Sequence, residues 1–433
     1  MRDSIWAPDY KAESYWWTAA PRPVLAPAPL PDQCDVAIVG GGFTGLAAAI
    51  ELARNGRMVA LMDAEDVGWG CSTRNGGQVS SSIKPPFAEL RRRHGAQVAF
   101  RIRREGLNAL AWIGHFIERE GIDCDFARTG RLHAAHTPSA YNALVREAES
   151  QPKGLEIDAH VVPRAELRSE IGTDLYCGGL VYAAHASLHP GKFHRVLVQK
   201  AQEAGASLTA HCAVTVIDRD GTGFRLRTSR GVMRAREVIV ATNGYTTPVT
   251  PWLRRRIIPI GSHIIATESL PAGLAKQLIP NNRAVSDTRK VIFYYRLSED
   301  GQRLLFGGRV AAKETDPELS ACRLHRQMTR IFPQLAPIRI SRSWGGFIAY
   351  TFDALPHLGR QADGIHYCMG YCGSGVSLAP YFGTRLAQQL LGKPEGHTAL
   401  DGLAFQTRPF YAGKPWFLPA AIAYYRLRDR WPF

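Results

Sequence analysis

The chain has 433 residues, of which 45% are hydrophobic and 21% charged, with a formal net charge of +15. This length exceeds one ordinary core, so two domains are expected, and the composition is that of a globular protein. No apolar run approaches the roughly twenty residues needed to span a bilayer, and residues 1–30 lack a basic-then-apolar signal layout, so a cytoplasmic location is expected.

Residues 1–33 read as an arm without helical or strand periodicity, whose aromatic cluster Ser14 to Trp17 calls for burial on the body. Val36 to Val39 is apolar without alternation, as in a parallel strand covered on both faces. It runs into Gly40-x-Gly42-x-x-Gly45. Gly40 permits a tight turn, Gly42 lets the backbone approach a pyrophosphate, and Gly45 lets the following helix, with Phe43 and Thr44 in its first turn, pack against the strand. A second strand then ends at Asp63 and Ala64, where an acid suits a ribose hydroxyl pair. Strand, glycine turn, helix, strand and acid together predict a dinucleotide site.

A second glycine-rich stretch, Gly68 to Gln78, follows where a nicotinamide dehydrogenase would continue into another helix and strand. Residues 89–125 read as helices, and the runs Arg91 to Arg93 and Arg101, Arg103, Arg104 as the solvated face of one amphipathic helix. A nucleic-acid surface would need a continuous basic stripe with exposed aromatics, and only fragments occur, so no nucleic-acid partner is expected. Residues 126–137 and 176–188 read as strands of an antiparallel sheet. A strand-helix-strand passage covers Phe193 to Val216, with His194 to Ala204 helical. Arg236 to Ala241 is another buried strand, 253–343 alternates short strands and turns with a helix over Glu318 to Ile331, and Ile365 to Gly370 is a strand. The final helix, Val376 to Leu391, follows Gly373-Ser374-Gly375, and its N-terminal amides suit negative charge. The tail, 396–433, interleaves basic and aromatic residues, which would suit a membrane-surface helix, although membrane contact is not expected. Eight cysteines show no CxxC and no zinc spacing, so free thiols and no metal are expected.

The stretch Gly68-Trp69-Gly70-Cys71-Ser72-Thr73-Arg74-Asn75-Gly76-Gly77-Gln78 resembles the flavin-contacting loop of the FAD-dependent D-amino acid oxidase superfamily, in its γ-glutamylputrescine oxidase-like branch. Similar runs recur in fixed order at Gly178 to Phe193, Ala241 to Tyr245, Tyr294 to Leu297, Phe306 to Arg309, Trp344 to Gly359 and Gly370 to Val376. The resemblance implies an α/β chain, α+β overall, with a Rossmann-like FAD-binding domain of the glutathione-reductase type (34–88, 160–248 and 344–395). It implies an interleaved substrate domain on an antiparallel sheet (89–159 and 249–343) and a C-terminal extension (396–433) wrapped on the body. Beyond the first motif, it implies FAD contacts at Gly70, Cys71, Ser72, Arg74, Asn75, Gly76, Gly77 and Gln78, at Val214 beside the adenine, at Ala241, Thr242, Gly244 and Gly346, and at Gly373, Ser374, Gly375 and Val376. Ser374 stands where the family often has histidine.

In relatives that act on amino acids, the run beginning at Trp344 carries an arginine that grips the α-carboxylate. Here that slot is Ile348, so a free amino acid would lose a charged hydrogen bond of roughly 1.5–3 kcal/mol. Neither Ile348 nor Ala349 can supply the flavin-linking cysteine of the sarcosine oxidase branch, so FAD is expected to be non-covalent, with Cys71 a small residue packed by the ring. Further pocket candidates are His263, Tyr294, Tyr295, Arg296, Arg309, Tyr350 and Tyr371, beside Trp344 and Ile348. Arg309 is the candidate receiver for an acid group remote from the reacting nitrogen. The expected activity is oxidation of an amine C–N bond to an imine, with O2 as acceptor and H2O2 as product. The alternatives are a dehydrogenase feeding a respiratory chain and a tRNA-modifying flavoprotein.

Overall fold

The computed structural model describes residues 5–25, 29–311 and 316–429, with the backbone alone at 309–311. Two large sheets organise the chain. In the first, parallel strands lie side by side in the order Ser207–Thr209, Val59–Met62, Gln33–Val39, Gly231–Val240 and His366–Met369. Val36, Ala37, Ile38 and all of Val59–Met62 are buried, which is why these strands show no alternation. Val214–Asp220 and Gly223–Thr228 extend this sheet as an antiparallel meander on the first half of Gly231–Val240.

The helices Phe43–Arg54 and Gly375–Leu390 pack together within one apolar core that includes Leu46, Ile50, Leu378 and Phe382. They cross closely at Gly383, where a Cβ would stand 2.4 Å from the Thr44 carbonyl oxygen. Both N-termini therefore reach the same place.

The second sheet has nine strands, in the order Trp6–Lys11, Ile340–Tyr350, Ile258–Thr267, Leu304–Ala311, Phe293–Leu297, Ala284–Asp287, Arg131–Ala134, Gly178–Tyr182 and Ala159–Pro163. Helix Pro317–Ile331 packs on it through Ala321, Leu324, Met328 and Ile331, at helical spacing, in a core with Tyr295, Phe306 and Phe332.

Five expectations need correction. The sheet is mixed, because Trp6–Lys11 runs parallel to Ile340–Tyr350 and Arg131–Ala134 parallel to Ala284–Asp287. The arm contributes a strand after all; as an edge strand with a register shift it buries only Ala7, so its sequence carries no alternation. The arginine runs fall on two helices, Phe87–His94 and Ala96–Arg119, separated by Gly95 at φ +79°. Ala159–Pro163, Gly178–Tyr182 and Trp344 to Tyr350, assigned above to the FAD-binding segments, pair within the nine-stranded sheet. The helix expected from His194 starts at Pro190, capped by the His189 side chain on the Lys192 amide.

Candidate active site

Residues of both sheets line a cavity of about 470 Å³, within the range of small-molecule sites. At one end the turn after Gln33–Val39 opens into helix Phe43–Arg54. Gly40 has φ +108°, a conformation that favours glycine, and a Cβ on Gly45 would stand 2.1 Å from the Gly40 carbonyl oxygen. The helix begins after Gly42 with no side-chain cap of its own, and its Phe43 amide donates to Ser72 Oγ at 2.9 Å. Asp63 accepts the Gly41 amide at 2.7 Å and the Glu65 amide at 3.1 Å. Burial raises its carboxyl pKa, which those amides oppose. Asp63, Ala64 and Val214 all face the cavity.

The loop from Gly68 to Gln78 is held from outside by residues far away in sequence. Trp16 Nε1 donates to the Asn75 carbonyl at 2.7 Å, Ser14 Oγ to the Thr73 carbonyl at 3.0 Å, and Trp17 Nε1 to Thr73 Oγ1 at 2.8 Å. Trp344 Nε1 donates to the Arg74 carbonyl at 3.0 Å. Within the loop, Asn75 Nδ2 donates to the Cys71 and Ser72 carbonyls, and its Oδ1 accepts the Gly77 amide. The Arg74 guanidinium lies 4.2 Å from the Trp69 ring centroid and donates to Tyr245 OH at 2.6 Å. Tyr245 OH also accepts the Phe347 amide, and Cys71 Sγ donates to the Phe347 carbonyl at 2.6 Å. His194, fully buried, underpins both turns: its Nε2 is 2.8 Å from the Gly41 carbonyl, and its ring packs on Gly68, where a Cβ would be 2.6 Å away.

The opposite wall is Gly346 to Ala349, with Cys372 to Val376 beside it. Cys372 and Gly373 both have positive φ, and the Cys372 amide donates to the Ala349 carbonyl. Helix Gly375–Leu390 opens on the cavity with Ser374 as an N-cap that makes no side-chain cap bond. Two helix N-termini and a buried acid on one elongated set of turns form a donor set suited to a dinucleotide.

Most of the residues expected at the site face the cavity: Gly40, Gly42, Phe43, Thr44, Asp63, Ala64, Gly70, Cys71, Ser72, Arg74, Asn75, Gly76, Gln78, Val214, Ala241, Thr242, Gly346, Gly373, Ser374, Gly375 and Val376, with Tyr294, Ile348 and Tyr371. Gly45, Gly77 and Gly244 do not. Each serves close packing, since a Cβ would meet the carbonyl oxygens of Gly40, Leu188 and Phe347 respectively. Tyr350 is also outside the lining.

Four pocket candidates are structural instead. His263 packs on Gly345 within the sheet, and Tyr295 OH donates to Tyr176 OH at 3.0 Å in the core beside Phe306. Arg296 is committed to the Leu188 carbonyl and Glu299, and Trp344 to the flavin-type loop. Tyr371 touches the cavity, but its hydroxyl is bound to Thr44 Oγ1 at 2.6 Å and burial pushes its pKa up. Arg309 lies on strand Leu304–Ala311, and its side chain is outside the described residues.

Sequence reasoning missed Tyr245, Phe347, Ser80, Ser82, Lys84, Arg131, Ser262, Ser286 and Ile292, all of which face the cavity. Only Tyr245 and Phe347 lie inside runs that had drawn notice. The others are brought in by strand register, as when Arg131 pairs with Ala284, two residues before Ser286, and no local spacing signals that.

Fold and site together fit a dinucleotide-binding protein in which a second sheet lines the same cavity. Residues 35–389 match the DAO family, FAD dependent oxidoreductase. The chain belongs to this family. It is 34% identical over 425 residues to a probable oxidoreductase OrdL of Rhizobium meliloti, covering 96% of this chain and 97% of that one. It is 33% identical over 401 residues to the gamma-glutamylputrescine oxidoreductase of Escherichia coli, covering 92% and 93%. Among solved structures, glycine oxidase from Geobacillus kaustophilus superposes with a TM-score of 0.72 at 21% identity, over 88% of this chain and 99% of that chain. L-proline dehydrogenase from P. horikoshii gives 0.70 at 19%, over 90% and 99%. At these identities the two structures establish the fold.

Proposed function

We propose that this oxidoreductase removes two electrons and two protons from the C–N bond of a primary or secondary amine, giving an imine that water hydrolyses. O2 is the acceptor and H2O2 the product. The preferred amine carries a remote anionic group, a chemistry shared with the substrate for which the Escherichia coli relative is named. FAD is held without a covalent bond. Gly42, Phe43 and Thr44 would meet its pyrophosphate, Asp63, Ala64 and Val214 its adenosine, and Gly70 to Gln78, Ala241, Thr242, Gly346 and Gly373 to Val376 its ring system.

When bound, FAD supplies the two-electron acceptor. The chain's own task is to hold a neutral amine and keep water out. Ile292, Tyr294, Phe347 and Ile348 supply the apolar wall. No general base is required of the protein, and among the described lining residues there is no histidine. The observation that carries the reading is Ile348: it lines the cavity, and by resemblance it occupies the slot in which relatives that act on amino acids carry the carboxylate-binding arginine.

The test is anaerobic bleaching of the purified yellow protein by a panel of amines and amino acids, followed by admission of O2. Amines should bleach it faster than free D- or L-amino acids, and O2 should restore the colour with stoichiometric H2O2. A D-amino acid as the best substrate by a wide margin would overturn the substrate class. Slow recovery in O2 would replace the oxidase by a dehydrogenase. Acid precipitation should release intact FAD into the supernatant.

A further inference from the structure

Four arginine side chains with largely buried guanidinium groups can be compared. Arg283 is paired with Glu170 at 2.6 Å, Arg289 with Asp287, and Arg296 with Glu299 at 3.0 Å. Arg131 breaks the pattern. Enclosed by protein except where its guanidinium meets the cavity, it has no carboxylate within salt-bridge distance among the described residues. Its Nε is buried without a hydrogen-bond partner. Its Nη2 reaches Ser82 Oγ at 3.5 Å and its guanidinium lies 4.9 Å from the Tyr182 ring centroid; Tyr182, whose hydroxyl donates to Glu147, and Glu147 itself favour its charged form. A buried cation whose acid, Glu147, acts on it only from beyond salt-bridge distance is poorly compensated, and the cavity is where an anion from outside could offset that cost.

The cavity wall carries charges of both signs. Its acids, Asp63 and Glu65, sit at the turn after the second strand, beside the helix N-terminus that suits a pyrophosphate. Lys84 and Arg131 line the same cavity from other segments of the chain. Burial, with the charges of Arg131 and Lys84, keeps the His133 imidazole neutral, its pKa pushed down to about 3. Ser82 and Ser286 add hydroxyls to the same wall, and His133 Nδ1 lies 3.0 Å from Ser286 Oγ. Arg74 also faces the cavity, but it is already stacked on Trp69 and bonded to Tyr245.

We infer that Arg131, flanked by Lys84, is the receptor for the remote acid group of the substrate. The substrate class is thus an amine whose far end is a carboxylate or similar anion, and a bare diamine, with an ammonium at that end, is repelled. The inference rests on the amine-oxidation reading given above and assigns a residue that no sequence motif marks.

The test uses the FAD-loaded protein and a matched pair of probes, γ-glutamylputrescine and the same molecule with its carboxylate converted to the carboxamide. Anaerobic stopped-flow gives the flavin reduction rate and the apparent Kd for each. Wild type should favour the acid at least tenfold in the ratio of rate to Kd. Arg131→Gln should remove that preference chiefly through Kd, with the limiting rate changed less than threefold, and Arg131→Lys should restore part of it. Equal treatment of acid and amide by wild type would overturn the inference and leave amine oxidation standing. So would a preference that survives Arg131→Gln and disappears in Arg309→Gln.

Titration of the flavin spectrum with glutarate is independent of turnover. Wild type should show saturable binding that Arg131→Gln weakens at least tenfold, and absence of such binding in wild type counts against the site. If no amine reduces the flavin while glutarate binds through Arg131, the proposed reaction fails and the anion site stands. If Arg131→Gln does not fold, the wild-type acid and amide ratio and the wild-type glutarate titration decide.

Discussion

Ile348 faces the cavity from a strand in which it pairs with Ile260, so its backbone is fixed while its side chain meets substrate space. Ile348→Arg should install a partner for an α-carboxylate and fill room used by the amine. The expected result is at least a tenfold loss of kcat/KM for the amine, about 1.4 kcal/mol, and a smaller gain for small α-amino acids. The ratio of the two constants in wild type and variant, at equal FAD content, measures it; an unchanged ratio would remove Ile348 from the site. A second prediction concerns protons. With no histidine among the described lining residues and Tyr371 held protonated by burial, the group that must lose a proton is the substrate amine. Below the amine's pKa, kcat/KM should therefore rise about tenfold per pH unit. Its inflection should follow the amine's pKa across a series of amines, and an inflection fixed for all of them would point to a protein group.

Among the elements, the glycine turn, the first helix and the terminal acid could be read from sequence because each is local: a φ above zero at Gly40, a close approach at Gly45 and a carboxylate one strand later. The arm's strand, the walls at Arg131 and Ser286, and the buried prop at His194 could not, since each depends on a partner distant in sequence. The same contrast governs stability of the Gly68 to Gln78 loop, whose outer side is fastened by Trp16 and Trp344. Trp16→Ala should cost about 3–5 kcal/mol and lower the FAD retained on gel filtration. Trp16→Phe, which keeps the packing and loses the bond to Asn75, should cost about 1 kcal/mol. Thermal melts with FAD quantified in each sample check both, and full retention in Trp16→Ala would mean the loop holds its shape unaided.

At the scale of the whole molecule, burial lowers the pKa of seven histidines among the described residues, and four of them are shifted furthest. The pKa is pushed down to about 3 at His133, about 2 at His185 and about 4 at His189 and His194. In the unfolded chain each titrates near 6.5, so as pH falls below that value the unfolded state takes up protons that the folded state refuses. Their contribution is present above pH 6.5 and is lost progressively towards pH 4, at about 1.4 kcal/mol per histidine per pH unit. The Tm should drop steeply between pH 6.5 and 5. His194→Gln, which can keep the bond to the Gly41 carbonyl, should flatten that slope, and a slope unchanged in this variant would mean that His194 is protonated in the fold.

The pairing of the first strand with Ile340–Tyr350 also sets an order of events during synthesis. Tyr10 OH and Ser343 Oγ, 2.7 Å apart, are separated by 333 positions in the chain. At ribosomal rates the arm therefore waits roughly 20–70 s for its partner to emerge. Trp16 shares a buried cluster with Ile264, Leu305 and Trp344, so its packing over the loop is complete only when those residues have emerged. Supplying riboflavin during expression should then raise the yield of folded protein more than it speeds the appearance of early intermediates. Nascent chains that stall before residue 340 should be colourless and readily cut by protease in their first twenty residues.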